Sequence, residues 1–186
     1  NLTNHSFNII FIGNMGKASN LLPVIKAVSL LQDENVRLYL AGSGPELYNL
    51  KAIVYKESID NVAFLGQLSK VDIMNLLSQS DLCIQCTKNS PIYKFGIASI
   101  KLFDYFLSSK PILHCYSGKY DPVKLYNAGI SIDSDEPHSI AKEILLIKNL
   151  SQEERDELGR NGFKAILNTH NYNKISRILE SRLTQL

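Results

Sequence analysis

The chain has little of what several large protein classes require. Its 186 residues carry a net charge of only +2, which gives no basis for a nucleic-acid groove or a polybasic membrane patch. No apolar run approaches the roughly 18 residues of a transmembrane helix, and no signal peptide is visible. Histidines, cysteines and carboxylates are not clustered, so no metal site is predicted. A nucleophile motif of the G-x-S-x-G type is also missing.

Cysteine is scarce, with three residues in the chain. Cys83 and Cys86 have the C-x-x-C spacing of a metal or redox pair, but they lie in "DLCIQCT", which is typical of a buried strand. On a strand this spacing puts the two side chains on opposite faces, and no second pair is present. We therefore expect reduced core thiols in a cytoplasmic protein.

Six short apolar runs alternate with helical patterns along the chain. Strands that are buried on both faces have this composition. The alternation predicts an α/β fold, with a Rossmann-like doubly wound parallel sheet of about six strands, in a single domain over residues 1–186. Three closing helices are predicted at roughly 138–149, 152–167 and 172–184. Ile175, Ile178 and Leu179 should form the core stripe of the last one. The runs are "FNIIFIG", "VRLYLAG", "VAFLG", "DLCIQC", "PILHC" and "GISI".

Ligands of open α/β sheets bind beyond the carboxyl ends of the strands, so the residues after each run are candidates. The first run leads into "GNMGK". Gly13 and Gly16 would let the backbone approach an anion there, and Lys17 would add a positive charge; a simple tight turn is the alternative. At Gly42, after the second run, a turn that ends the strand is favoured. After the third run, Ser69 is predicted to cap a helix.

The segment after the fourth run, "TKNSPIYKFGIASIKLFDY", is the most informative. The loop up to Gly96 is longer than the 2–6 residues that usually join a strand to a helix, and long loops often carry function. Ser99 is the predicted N-cap, and the free N–H groups after it could hold a phosphate together with Lys101. Asp104 could bind the vicinal hydroxyls of a ribose. The alternative is a local Lys101–Asp104 ion pair, worth about 0.2–0.5 kcal/mol.

Four stretches follow one another in a characteristic order: "FIGNMGKASNLLPVIKAV", "LYLAGSGPELYNL", "NVAFLGQLSKVDIMNLLSQSDLCI" and "FGIASIKLFDYFLSSKPIL". Over roughly residues 7–170 they resemble the C-terminal half of a retaining glycosyltransferase of the GT-B fold. The likeness is to the family 4-like group that builds bacterial surface polysaccharides. It implies a domain that binds a UDP- or GDP-sugar, for a hexosyl or N-acetylaminosugar transferase that needs neither cofactor nor metal.

The resemblance also implies a missing half. In such enzymes a separate N-terminal domain binds the glycan or lipid-linked acceptor, and any membrane contact at the inner face would pass through it. A chain that does not begin with Met fits a piece processed or cut from a longer cytoplasmic protein. We expect this piece to bind nucleotide without turnover. A half-domain of a nucleotide-sugar epimerase and an α/β binding module without a nucleotide site are the alternatives.

The resemblance assigns roles to individual residues. "GNMGK" matches the glycine loop that faces the diphosphate, where Lys17 would neutralise the leaving group. "FLGQL" matches the stretch beside the base, and Asp104 matches the acid that holds the ribose. Ser99 to Leu102 match the helix start that binds phosphate. The implied catalytic residues are Lys17 and Lys101, and the implied nucleotide-sugar set is Gly13, Asn14, Gly16, Gly42, Gly66, Gln67, Gly96, Ile97, Ser99, Leu102 and Asp104.

The sequence departs from the family pattern in two places. Many relatives place a first carboxylate eight residues before the second, but here Gly96 stands eight residues before Asp104, which is itself one methylene shorter than the usual Glu. Asn14 stands where many relatives have Arg after the first glycine. The contacts of the donor sugar are therefore less defined than those of the nucleotide.

Overall fold

The structure is a computed structural model that describes residue 2 and residues 6–96, 99–133 and 135–184. Within these residues the chain forms one sheet of six strands in the order β3-β2-β1-β4-β5-β6, and every neighbouring pair is parallel. The predicted α/β fold and strand number are confirmed. The strands are β1 Phe7–Ile12, β2 Val36–Ala41, β3 Val62–Gly66, β4 Leu82–Cys86, β5 Ile112–Cys115 and β6 Gly129–Ile132.

Helices connect the strands and close the chain, and the three predicted closing helices are confirmed. The three short 3₁₀ turns among the described residues and the single-turn α5 were not predicted, because elements this short have too little periodicity to recognise. The helices are α1 Leu21–Ser29, α2 Leu47–Lys56, α3 Lys70–Ser78, α4 Ile100–Leu107, α5 Pro122–Leu125, α6 Pro137–Asn149, α7 Gln152–Thr169 and α8 Tyr172–Leu183, and the 3₁₀ turns are Lys17–Ser19, Gln32–Glu34 and Pro91–Phe95.

Each face of the sheet carries its own hydrophobic core. Phe11 and Cys86 belong to the core that includes α1 and α6, whereas Cys83 and Tyr105 belong to the core that includes α4. All three cysteines are free and buried, and burial raises the pKa of the Cys83 thiol to about 12. The prediction that the C-x-x-C pair is split between the two faces is therefore confirmed.

The last helix differs from its prediction. Ile178 and Leu179 are 52% and 59% exposed, so the expected core stripe was wrong for them, and the side chain of Ile175 lies outside the described residues. An amphipathic pattern records that one face of a helix is apolar, but it does not record what covers that face. In the described ranges, no helix combines the length and apolarity that a membrane crossing requires.

Candidate functional site

The strand order reverses between β1 and β4, and the two strands diverge there. They pair at only two positions, Ile9 and Ile10 in the middle of β1 with Leu82 and Cys83 at the start of β4. Tyr105 of α4, which is fully buried, bridges the gap beyond. Its hydroxyl accepts the Ile12 N–H at 3.0 Å and donates to the Ile84 carbonyl at 3.1 Å. A crevice thus opens at the carboxyl ends of the strands, which is where open α/β sheets bind ligands.

On the β1–β3 side of the crevice, backbone packs directly on backbone. Gly42 follows β2 with φ +133°, and a Cβ on it would overlap the carbonyl oxygen of Gly13. Only glycine fits both that conformation and that contact. The Met15 N–H donates to the Ser43 carbonyl at 2.8 Å. These loops form the glycine cleft, a space of about 500 Å³ lined by Gly13, Asn14, Ala41, Gly42, Ser43, Gly44, Gln67, Leu68 and Ile73.

On the β4 side, side chains build the opening. Ser99 is the N-cap of α4, as predicted, but its hydroxyl donates to Oε1 of Gln85 at 3.1 Å and makes no capping hydrogen bond. First-turn N–H groups of α4 therefore lack that side-chain acceptor. We name this opening the lysine cleft; it is a space of about 390 Å³ lined by Ala18, Ser19, Gln85, Cys86, Thr87, Ile92, Tyr93, Gly96, Ser99 and Lys101.

Lys101 lies at the junction of the two clefts. It lines the lysine cleft, while its Cε lies 3.3 Å from the point where a Cβ on Gly13 would be. Its Nζ lies 4.3 Å from the centroid of the Phe11 ring, and none of the ion pairs found among the described residues involves it. Burial lowers the pKa of Lys101 to about 8. The site therefore holds a desolvated cation that has no carboxylate partner in the described part of the chain.

Asp104 forms an ion pair with Lys70 at the start of α3, and the two side chains are 17% and 65% exposed. The alternative of a local Lys101–Asp104 pair is wrong, because the two side chains have different neighbours. No pattern in the sequence singles out Lys70 as this partner. The lysine follows the predicted N-cap Ser69, whose side chain accepts the Asp72 N–H, but only the packing of α3 beside α4 brings Lys70 to Asp104.

Lys17 and Lys101, the two predicted catalytic residues, line different clefts. Lys17 is exposed in the 3₁₀ turn that follows the β1 loop. Together with Gly16, Glu46 and Lys88 it lines a third cleft of about 190 Å³. A diphosphate at the junction would therefore lie beside Lys101, and the role of Lys17 in neutralising the leaving group stays a prediction.

The remaining predicted residues divide between the clefts or fall outside both. The Leu102 side chain is buried in the core and its N–H donates to the Ser99 carbonyl at 3.1 Å, so neither group is presented to a ligand. The Gly66 carbonyl accepts the Gly42 N–H at 2.7 Å, and Ile97 lies outside the described residues. The structure brings Gly13, Asn14, Gly42 and Gln67 together in the glycine cleft, and Gly96, Ser99 and Lys101 in the lysine cleft.

His114, at the end of β5, has a local partner. The ring is fully buried, with Nδ1 3.0 Å from Oδ1 of Asp121. Burial raises the pKa of Asp121, but hydrogen bonds from His114 and from backbone N–H groups outweigh it, so the net pKa lies below its usual value. The His114 ring stacks on Tyr116, whose hydroxyl donates to the Tyr93 carbonyl at 3.2 Å. This chain of contacts supports the Pro91–Phe95 turn that forms one wall of the lysine cleft.

Comparison with known proteins identifies the family. The family model for glycosyl transferases group 1 matches residues 2–165. The chain belongs to this family. No curated protein matches it significantly by sequence.

Solved structures share the fold of this group 1 domain. HepE from Anabaena, in complex with UDP-glucose, superimposes with a TM-score of 0.80 at 16% identity over 97% of this chain and 49% of that chain. WaaG, a glycosyltransferase involved in lipopolysaccharide biosynthesis, gives 0.73 at 16% identity, over 90% and 44%. The C-terminal domain of LpcC, a group 1 family protein from Francisella tularensis, gives 0.71 at 15% identity, over 89% and 87%. The chain thus spans about half the length of HepE and WaaG.

Three residues of the group 1 domain's crevice could not be assigned from the sequence. Gln85 and Tyr105 lie within apolar patterns that predict only a strand and a helix face, and Lys70 is one of many surface lysines. A polar residue inside a run that is otherwise apolar, such as Gln85 in "LCIQC", is a usable signal, because a buried polar group needs a partner.

Within the described ranges, the group 1 domain has no cluster of three or more His, Cys, Asp or Glu that could hold a metal ion. The expectation that the reaction needs no metal stays a prediction.

Proposed function

We propose that the chain is the donor-binding domain of a retaining glycosyltransferase, which moves a sugar from a UDP- or GDP-sugar to a glycan acceptor in surface polysaccharide synthesis. The observation that carries the proposal is Lys101. A half-buried lysine beside no carboxylate of the described chain, at the junction of two clefts, is suited to an anionic ligand that supplies the missing charge partner.

We assign each part of the donor to a part of the crevice on the basis of the side chains there. Apolar Leu68 and Ile73, with the Gln67 amide, suit a base in the glycine cleft. The diphosphate would lie at the junction, where the Lys101 ammonium and the start of α4 bind the charge that develops on the leaving group. Asp104, already partly exposed, would accept hydrogen bonds from the ribose hydroxyls in place of its bond to Lys70.

The structural relatives support the choice of ligand. HepE was solved with UDP-glucose, and WaaG acts in lipopolysaccharide biosynthesis. Because the chain spans about half of each, we propose that a separate N-terminal domain binds the acceptor, and that the whole enzyme works in the cytoplasm with any membrane contact through that domain. By itself, the chain would then bind donor without turnover.

Titration of the 186-residue chain tests the proposal. Ligand-detected NMR with UDP and GDP, beside uridine and guanosine as controls without phosphate, should show binding of at least one diphosphate. The matching nucleoside should bind at least tenfold more weakly, because it cannot reach Lys101. If neither diphosphate binds, or if the nucleosides bind equally well, the proposal is wrong.

A further inference from the structure

The position of the lysine cleft beside Lys101 indicates which part of the donor it binds. The inference rests on the proposed function, in which the diphosphate lies at Lys101 and the base lies in the glycine cleft. Since Lys101 joins the two clefts, a sugar attached to the far phosphate would enter the lysine cleft. The side chains of that cleft therefore determine which sugars fit.

The lining of the lysine cleft is neutral apart from Lys101. No Asp or Glu is among the described residues that line it. Carboxylates are the strongest acceptors for pairs of sugar hydroxyls, so this cleft lacks the usual means of holding a hydroxyl-rich sugar tightly. Lys101 itself would be neutralised by the diphosphate.

Four hydroxyls line the cleft, and three of them have committed their protons elsewhere, whereas the Tyr93 phenol has no acceptor among the described residues. Ser19 donates to the Asn14 carbonyl at 2.6 Å, Thr87 donates to the Cys115 carbonyl at 3.2 Å, and Ser99 donates to Gln85. Each of these three can therefore only accept a hydrogen bond from a ligand. Because Oε1 of Gln85 accepts the bond from Ser99, its amide NH₂ is left as a neutral side-chain donor, in addition to the Tyr93 phenol on the wall that carries Ile92.

One wall of the cleft is apolar. Ile92 is 67% exposed, in the 3₁₀ turn that Tyr116 supports, and Ala18 is also exposed. Exposed aliphatic side chains that line the same cleft as an amide donor match an acyl group, which has a carbonyl acceptor and a methyl next to each other. Burial of that methyl against Ile92 adds apolar contact that a sugar hydroxyl would not gain.

We infer that the donor sugar is an N-acylamino sugar, with its acyl carbonyl bound by the Gln85 amide and its methyl packed against Ile92. The remaining sugar hydroxyls donate to Ser19, Thr87 and Ser99. A plain hexose leaves the amide with a weaker partner and the wall without contact.

Dissociation constants for UDP, UDP-glucose, UDP-N-acetylglucosamine and UDP-glucuronate, measured on the 186-residue chain by calorimetry, test the inference. Glucose and N-acetylglucosamine differ only at C2. The N-acetyl form should bind at least threefold more tightly than both the glucose and the glucuronate forms. A smaller preference, or a reversed one, overturns the inference while binding of UDP leaves the proposed function standing. If UDP does not bind, the inference is overturned, and the proposed function is overturned with it when GDP does not bind either.

Two variants assign the preference to this cleft. Gln85→Met removes the donor at nearly constant volume, and Ile92→Ser changes an exposed position, so at least the second should fold. Each variant should bring the ratio of the affinities for UDP-N-acetylglucosamine and UDP-glucose toward one. UDP serves as the reference ligand that has no sugar. Gln67→Met, in the glycine cleft, is the matched control and should leave the ratio unchanged. If the ratio persists in both test variants, the assignment is wrong.

Discussion

The glycine cleft and the lysine cleft lie side by side at one edge of the sheet, but they are built by different means. The first is shaped by backbone against backbone at Gly13 and Gly42, and the second by the side chains of Gln85, Ser99 and Lys101. A backbone wall tolerates almost no added atoms, whereas a side-chain wall can change chemistry without a change of fold. We therefore expect substitutions to affect stability in the glycine cleft and ligand choice in the lysine cleft.

The largest difference should appear between two glycines that both have positive φ. A Cβ at Gly42 would overlap the Gly13 carbonyl oxygen, whereas one at Gly66 would meet nothing within 4 Å. Gly42→Ala should lower the free energy of unfolding by about 3 kcal/mol or more, from overlap and strain together. Gly66→Ala should cost only the backbone strain of about 1–2 kcal/mol. Urea denaturation measures both, and equal losses would contradict the backbone description of this cleft.

The two predicted catalytic lysines provide the next comparison. Lys101→Met should weaken UDP binding about 30-fold, because a charge-assisted interaction of about 2 kcal/mol is lost. It should also raise the free energy of unfolding, since a desolvated charge is replaced by an apolar side chain. Lys17→Met, at an exposed position in another cleft, should change UDP affinity less than threefold. A larger loss of affinity in Lys17→Met would show that the diphosphate does not lie at the junction.

The pKa of about 8 for Lys101 predicts a pH dependence of binding. Below pH 8 the lysine is charged and UDP affinity should be constant with respect to it. Above pH 8 binding must first return a proton to Lys101, so affinity should fall by up to about tenfold per pH unit. Calorimetry between pH 7 and 9.5 measures this, and Lys101→Met, which has no such group, should give a flat profile.

Folding stability should depend on the same group in the opposite direction. Because the folded pKa lies below that of an unfolded lysine, the unfolded chain binds more protons between pH 8 and 10.5, and the free energy of unfolding should rise across that window. Other groups titrate there as well. The measurement is therefore the difference between the wild type and Lys101→Met, which we expect to shrink by about 2 kcal/mol from pH 8 to 10.5. A difference that does not change with pH would contradict the burial of the charge.

The smallest effects concern Asp104 and Lys70. If Asp104 holds the ribose, Asp104→Asn should weaken UDP about fivefold, for about 1 kcal/mol of hydrogen bonding. It should leave 2′,3′-dideoxy-UDP unaffected. Lys70→Gln should change the free energy of unfolding by less than about 0.5 kcal/mol, since the lysine is largely exposed. It should also raise the affinity for UDP slightly, because the Asp104 carboxylate loses its competing partner. Equal weakening of both nucleotides by Asp104→Asn would make its role structural.

The strands and helices could be predicted from the sequence, because six apolar runs and the amphipathic stretches have the periodicity of the elements they form. The contacts between side chains of different elements could not be predicted from the sequence. The spacing of Lys101 and Asp104, three residues apart, left a local ion pair open as the alternative, yet their neighbours come from β1 and α3. Spacing within one helix cannot show which residue of another element packs beside it, and the same limit applied to the uncovered face of α8.

The Tyr105 hydroxyl, which takes one hydrogen bond from β1 and gives one to β4, has a consequence for kinetics. Where two strands diverge, the backbone N–H and C=O groups at the opening normally lose their partners. The empty protein would then favour a closed crevice, because closure restores those hydrogen bonds. Here one phenol satisfies the Ile12 N–H and the Ile84 carbonyl, so the empty domain keeps the crevice open without losing those two hydrogen bonds. We therefore expect the nucleotide to associate in a single step, with an observed rate that rises linearly with ligand concentration and reaches no plateau.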